Sequence, residues 1–316
     1  MALASPSGTS AEQYGYVEHS VPLPGRSLRL HYLEWLPAPE ESGPSVQTPT
    51  ILLLHGLGDC AAVWSHFGAC LQREHYRVIA PDLRGHGDSD KPQSGYDFDA
   101  IIDDLEALLT ELNIGHPIIA MGHSWTGKLV PLWVKRSPDK IKTQVLVDPF
   151  FIGRLPSLWK LTFPLFYRVL PFLKMMGPFA TQEAAEAQAK TLKQYRNWSP
   201  LQQHVFQRNL EYRADKTWGS KLAIAARNGI FEAVMLVAGL TVPLNTPALV
   251  LIAEAGLNRS DWQLKPYYQY LSCLTLKKIP GNHWNFLTHP ETFAQIVISY
   301  LREFNQTASS QNSLNN

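Results

Sequence analysis

The sharpest chemical feature of this 316-residue chain is the hexapeptide Gly122-His123-Ser124-Trp125-Thr126-Gly127, which follows a continuous apolar run. A serine hydroxyl is a poor nucleophile at neutral pH unless a base takes its proton. A tight turn from a strand into a helix lifts such a hydroxyl above the sheet edge and brings the helix amino terminus beneath it. Residues two before and two after the serine crowd that turn, so small side chains are favoured there. Gly122 meets the requirement. Thr126 stands where the G-x-S-x-G pattern has glycine, and Gly127 comes one place late. By itself the hexapeptide also fits a serine in an ordinary turn. Two loops upstream add to it. His55-Gly56-Leu57-Gly58-Asp59 follows another apolar run and has the glycines that let backbone N–H groups approach an oxyanion. A third loop runs from Pro81-Asp82-Leu83-Arg84 to Lys91-Pro92.

These loops need a rigid frame. Apolar runs at 50–55, 76–82, 117–124, 143–148, 248–253 and 274–280 predict strands buried on both faces of a parallel sheet. Alternating segments before them predict a hairpin, and 37–44 reads as a loop. Phe98, Ile101, Ile102, Leu105, Leu109 and Leu112 recur at helical spacing, with Asp99, Asp103, Asp104 and Glu106 read as that helix's solvated face. A closing helix is expected over 290–301. Strands alternating with helices define the α/β class, a doubly wound, mostly parallel sheet. The stretch 150–243 breaks the alternation and reads as an inserted helical cap. The core is then 15–149 and 244–305, with 1–14 and 306–316 as disordered polar tails.

A formal net charge of +1 and dispersed basic residues argue against a nucleic-acid partner. Three cysteines and no apolar run at the start fit a reducing, cytoplasmic setting. The apolar stretch 155–179 is broken by Pro156, Pro164 and Pro171 and by Lys160, Arg168 and Lys174, which excludes a spanning helix. Metal-binding spacings, phosphate loops and the dinucleotide fingerprint are absent, so neither metal nor cofactor is expected. Asn258-Arg259-Ser260 matches a glycosylation acceptor by chance.

The three loops, in this order and spacing, resemble those of the α/β-hydrolase family over about 50–148 and 246–303. The resemblance implies a serine–acid–histidine triad in that chain order. His283, in Pro280-Gly281-Asn282-His283-Trp284, takes the place of the family's general base. The backbone N–H groups of Leu57 and Trp125 take the place of the oxyanion donors, while His55 and His123 brace the loop and elbow. The acid departs from the pattern. Gly256 occupies the family's usual aspartate position, which leaves Asp148 at the preceding strand end, Glu254 as the alternative, and Asp261 behind both.

A serine at the elbow disfavours the family branches that use aspartate there, namely haloalkane dehalogenases and epoxide hydrolases. The resemblance implies ester hydrolysis of a small, lipophilic substrate. Thioester, lactone and carbon–carbon cleavage, acyl transfer, and a non-catalytic ligand-binding homologue stay open. Trp159, Phe163, Phe166, Tyr167, Phe172, Met175 and Met176 are candidates to line an apolar pocket or simply to pack the cap. Their interspersed cations also fit transient contact of the cap with a membrane surface.

Overall fold

The computed structural model describes residues 13–37, 49–163, 165 and 170–314, with side chains as far as 307. Part of the expected first tail, most of the loop at 37–44, and Phe166, Tyr167 and Arg168 lie outside the described residues.

The hairpin is β1 (Val17–Leu23) and β2 (Leu28–Trp35), and the buried runs become β3 (Thr50–Leu54), β4 (Arg77–Pro81), β5 (Ile118–His123) and β6 (Ile141–Val147). A short antiparallel ribbon, β7 (Leu210–Tyr212) with β8 (Trp218–Ser220), precedes β9 (Ala248–Ala255) and β10 (Leu274–Asn282). The main sheet has the order β1-β2-β4-β3-β5-β6-β9-β10, antiparallel through β2–β4 and parallel beyond. Its helices are α1 (Ser65–Arg73), α2 (Phe98–Glu111), α3 (Thr126–Arg136), α4 (Gln182–Lys190), α5 (Pro200–Asn209), α6 (Ile224–Leu236), α7 (Asp261–Tyr270), α8 (Asn285–Thr288) and α9 (Pro290–Leu314).

Strand alternation divides the core into two layers. Leu52 and Leu54 of β3 face the layer holding Leu105 of α2 and Trp133 of α3. Ile51 and Leu53 face the opposite layer, with Phe67 of α1 and Phe293 of α9. Strand order reverses about β3, with β4 on one side and β5 on the other. The crevice at such a reversal, beyond the carboxyl ends of the strands, is where open α/β sheets hold ligands. The 55–59 loop, Ser124 and Asp148 all leave β3, β5 and β6 at that end.

Three expectations differ from the structure. Asp104 is not solvated: it is buried and paired with both Arg84 and Arg26, which fastens the 82–92 loop to α2. Gln13 and Tyr14, placed in the first tail, form a turn in which Tyr14 is buried and its carbonyl accepts from Trp35 Nε1 at 2.8 Å. At the other end, the segment from 306 continues α9 to Leu314, since no glycine or proline interrupts a helix already anchored by Phe293, Val297 and Leu301.

Candidate active site

Ser124 has φ +60°, a conformation that costs a non-glycine residue energy and persists only when its surroundings fix it. Its N–H donates to Val147 O at 3.0 Å, and its carbonyl accepts from Gly127 N at 3.0 Å and Phe150 N at 2.9 Å. A Cβ at Gly122 would stand 2.3 Å from the carbonyl oxygen of Thr126, so only glycine fits two residues before the serine. The crowding at 126 involves its backbone. The Thr126 side chain turns away, and its hydroxyl lies 2.8 Å from His123 O and 3.0 Å from Leu54 O as a donor. That explains how threonine occupies a glycine position, and it stitches the elbow to β3.

Asp148 is completely buried, and its Oδ2 lies 2.6 Å from His283 Nδ1. Leu257 N donates to the same carboxylate at 2.9 Å, and Asn258 Nδ2 donates to it at 3.3 Å and to Pro149 O at 2.8 Å. Gly256 now has a reason: a Cβ there would lie 2.4 Å from Asp148 Oδ2. The space the usual aspartate would use is filled by a carboxylate reaching across from β6. Glu254 is exposed, and Asp261 is exposed at the start of α7, so neither joins the histidine. Asn258 is buried against the acid, where no glycan could be attached.

Ser124, His283, Leu57 and Trp125 line one cavity of about 420 Å³. Trp125 sits at the amino end of α3, where the first N–H groups have no helical partner. Neither its N–H nor that of Leu57 donates to another group among the described residues. Phe150, Leu170, Phe172, Ile230, Phe231 and Val234 make the walls apolar. Of the cap residues proposed as lining, Phe172 fulfils that place. Trp159 is 47% exposed, whereas Phe163 packs with Phe231 and Met235, and Met175 and Met176 are buried in the core layers.

The supporting histidines have separate tasks. His55 Nδ1 donates to Gly56 O at 2.9 Å and its Nε2 accepts from Leu83 N at 3.0 Å, a neutral ring kept so by burial. His123 Nε2 lies 2.9 Å from His283 O, and burial pushes its pKa well down. Its Nδ1 stands 3.7 Å from Asp59, whose carboxyl is pushed up to about 7 by burial despite a bond from Trp284 Nε1 at 3.3 Å.

Sequence reasoning passed over Lys128, because a lysine four residues after the serine reads as a solvated helix position. Its stem is fully buried, and Nζ donates to Phe151 O at 2.9 Å, to Gly153 O at 2.6 Å and to Val234 O. Burial pushes its pKa down to about 7. Lys128 thereby ties the helix behind the elbow to the first residues after Asp148 and to α6. The group of donors nearest to a metal set among the described residues is His31, Asp82 and Asp88. Those atoms are already engaged: His31 Nδ1 with Asp82 at 2.8 Å and Asp88 with Lys221 at 2.6 Å. Burial works against charging His31, but its bonds to Asp82 and Glu18 outweigh that and raise its pKa to about 9.

A backbone-strained serine, a histidine and a buried aspartate at the carboxyl edge of a doubly wound sheet define a class, and the chain belongs to the α/β hydrolase fold family, whose model matches residues 49–290. Epoxide hydrolase 3 of Siraitia grosvenorii is 38% identical over 112 residues, 35% of this chain and 35% of its own length, so the match spans about a third of that relative. The sn-1-specific diacylglycerol lipase ABHD11 of Mus musculus is 25% identical over 256 residues, 80% of this chain and 81% of that one. Among solved structures, E-2-(acetamidomethylene)succinate hydrolase aligns with a TM-score of 0.73 at 21% identity, over 91% of this chain and 99% of its own, a likeness of fold. No helix among the described residues is long and apolar enough to cross a membrane.

Proposed function

We propose that the protein is a serine hydrolase that cleaves carboxylic esters of apolar acyl groups. The observation that carries this reading is the 2.6 Å pair of Asp148 with His283, in one cavity with a serine held at φ +60°. In this reading Ser124 Oγ attacks the ester carbonyl and its proton passes to His283 Nε2, while Asp148 holds Nδ1–H and stabilises the imidazolium. The Leu57 and Trp125 N–H groups take the oxyanion of the tetrahedral intermediate. Collapse breaks the ester C–O bond, with His283 returning the proton to the leaving alcohol. Water, deprotonated by the same ring, then frees the acid from Ser124.

Residues 150–243 act as the cap over the core, and the apolar walls they share with the core accept the acyl chain. Exposed Leu158, Leu161 and Leu165, with Lys160 among them, support transient contact of that cap with a lipid surface. The cysteines Cys60, Cys70 and Cys273 are unpaired, which supports a reducing, cytoplasmic location. The partial likeness to epoxide hydrolases does not redirect the chemistry, because the elbow here carries a hydroxyl and not a carboxylate.

A fluorescent fluorophosphonate tests the reading directly. The wild-type protein takes the label with one-to-one stoichiometry at Ser124, and Ser124→Ala takes none. A folded wild-type protein that stays unlabelled refutes it. Across a chain-length series of nitrophenyl esters, kcat/KM rises beyond acetyl; a maximum at acetyl removes the apolar acyl group.

A further inference from the structure

The same cavity carries an uneven charge. Three residues with cationic side chains are among those that line it, Lys193 and Arg196 from the 150–243 segment and Arg259 from the loop after β9, all three exposed to solvent. None of the three pairs with a carboxylate among the described residues, although the chain as a whole is nearly neutral at +1. The one carboxyl group in the lining is Asp59, and burial drives it toward its neutral form, with a pKa of about 7. Elsewhere the walls are apolar, and low-dielectric walls focus the field of charges at a cleft.

One of these cations, Arg259, is held by its side chain beside the acid, and the backbone of a second, Lys193, is tied to the base loop. Arg259 Nε donates to Gly256 O at 2.7 Å, and Gly256 lies against the Asp148 carboxylate. That bond uses the inner nitrogen and leaves both terminal Nη groups of the guanidinium for a ligand, the fork that suits phosphate or carboxylate oxygens. Asn282 Nδ2 donates to Lys193 O at 3.1 Å, which fastens the Lys193 turn to the residue preceding His283. Arg196 follows on the same turn. The Arg259 guanidinium and the Lys193 backbone are thus tied to the loops that carry the acid and the base, and the apolar walls are left for an acyl chain.

We infer that Arg259, Lys193 and Arg196 form an anion subsite, and that the substrate is an ester joining an apolar acyl chain to an alcohol that bears a phosphate or carboxylate. This rests on the serine-hydrolase reading and narrows it. An anionic group near the ester would draw the substrate in and orient its acyl chain toward the apolar walls. A neutral ester of the same acyl chain lacks that hold.

The test compares two water-soluble esters that differ by one charged group, 1-hexanoylglycerol and 1-hexanoylglycerol 3-phosphate, below the concentrations at which either aggregates. Wild-type kcat/KM is expected to favour the phosphate by about tenfold or more, the scale of charge-assisted hydrogen bonds. The ratio should fall toward one in the triple variant K193Q/R196Q/R259Q and as salt is raised. Because both esters are measured on each enzyme, a general loss of folding cancels from the ratio. A wild-type ratio at or below one, with the neutral ester still cleaved, overturns the anion subsite and leaves the hydrolase reading standing. A preference that survives the triple variant overturns the assignment to these residues. If preference for charge appears only when the neutral ester is presented in vesicles containing an anionic lipid, the cations serve surface recruitment and the subsite is overturned. Cleavage of neither ester, together with no fluorophosphonate labelling, refutes the hydrolase reading itself.

Discussion

Replacing Asp148 by asparagine keeps its shape and removes its charge. The native carboxylate accepts from Leu257 N at 2.9 Å and from Asn258 Nδ2 at 3.3 Å, and it faces His283 Nδ1 at 2.6 Å. An asparagine has one acceptor oxygen for this set. With that oxygen on the Leu257 N–H, its amino group faces Nδ1 and makes the ring an acceptor there. The imidazole proton then sits on Nε2, the atom that must receive the serine proton. A wrong tautomer behind a serine lowers kcat by about 10⁴, which is about 5.5 kcal/mol of transition-state stabilisation at 1.36 kcal/mol per decade. KM should change little, since the acid is fully buried behind the ring. Glu254→Gln is the matched control, an exposed carboxylate at the end of β9. It should leave kcat within about twofold, as surface charges do little. Steady-state hydrolysis of nitrophenyl butyrate, with far-ultraviolet circular dichroism as the folding check, measures both. If Asp148→Asn keeps its kcat within about tenfold, or Glu254→Gln loses about a hundredfold, the acid has been misassigned.

Two further outcomes follow from the same geometry. Burial raises Asp59 to about 7, so below pH 4 both folded and unfolded chains hold its proton, and as pH rises toward 7 only the unfolded chain releases it. Stability should therefore fall between about pH 4 and 7 by an amount on the order of 4 kcal/mol, three pKa units at 1.36 each, and Asp59→Asn should remove this loss; parallel urea-unfolding curves for the two proteins across that range would contradict it. The second concerns where the acid can stand. In Asp148→Gly the space beside Gly256 is vacated, and adding Gly256→Asp should raise kcat at least about tenfold over the single variant, whereas no recovery in a folded double variant would mean the carboxylate cannot be supplied from β9.

Much of the frame was legible because buried parallel strands write themselves as continuous apolar runs. All six such runs are strands of the main sheet, with ends within about two residues of those expected. Ser124 and His283 were legible as candidates because each sits in a backbone setting with its own residue signature, a glycine two before the serine and a glycine two before the histidine. What escaped was tertiary. The β7–β8 ribbon has three residues per strand, too few for a period to show. Asp104 lies among helix carboxylates that look alike in sequence, and only Arg84 and Arg26, 20 and 78 positions away, distinguish it. Lys128 and Asn258 left no pattern that points to these contacts, since their partners are backbone carbonyls and a carboxylate brought close by the fold.

The acid shows why some parts of such a site are readable and others are not. A nucleophile needs a particular backbone conformation, so its neighbours are constrained locally: Gly122 has no alternative when a Cβ would meet the Thr126 carbonyl at 2.3 Å. The acid must only bring one oxygen to Nδ1 of the histidine. β6 and β9 are adjacent and parallel, with Val147 paired to Leu251, so their carboxyl ends open on the same side of His283. Either end can deliver a carboxylate, provided the other makes room. Asp148 and Gly256 are the two halves of that condition, and neither is informative without the other. A glycine at 256 read by itself is a missing acid; a Cβ-free position 2.4 Å from Asp148 Oδ2 is the space that acid occupies. The departure from the family pattern at Gly256 is thus the same feature that makes room for the Asp148 carboxylate beside His283.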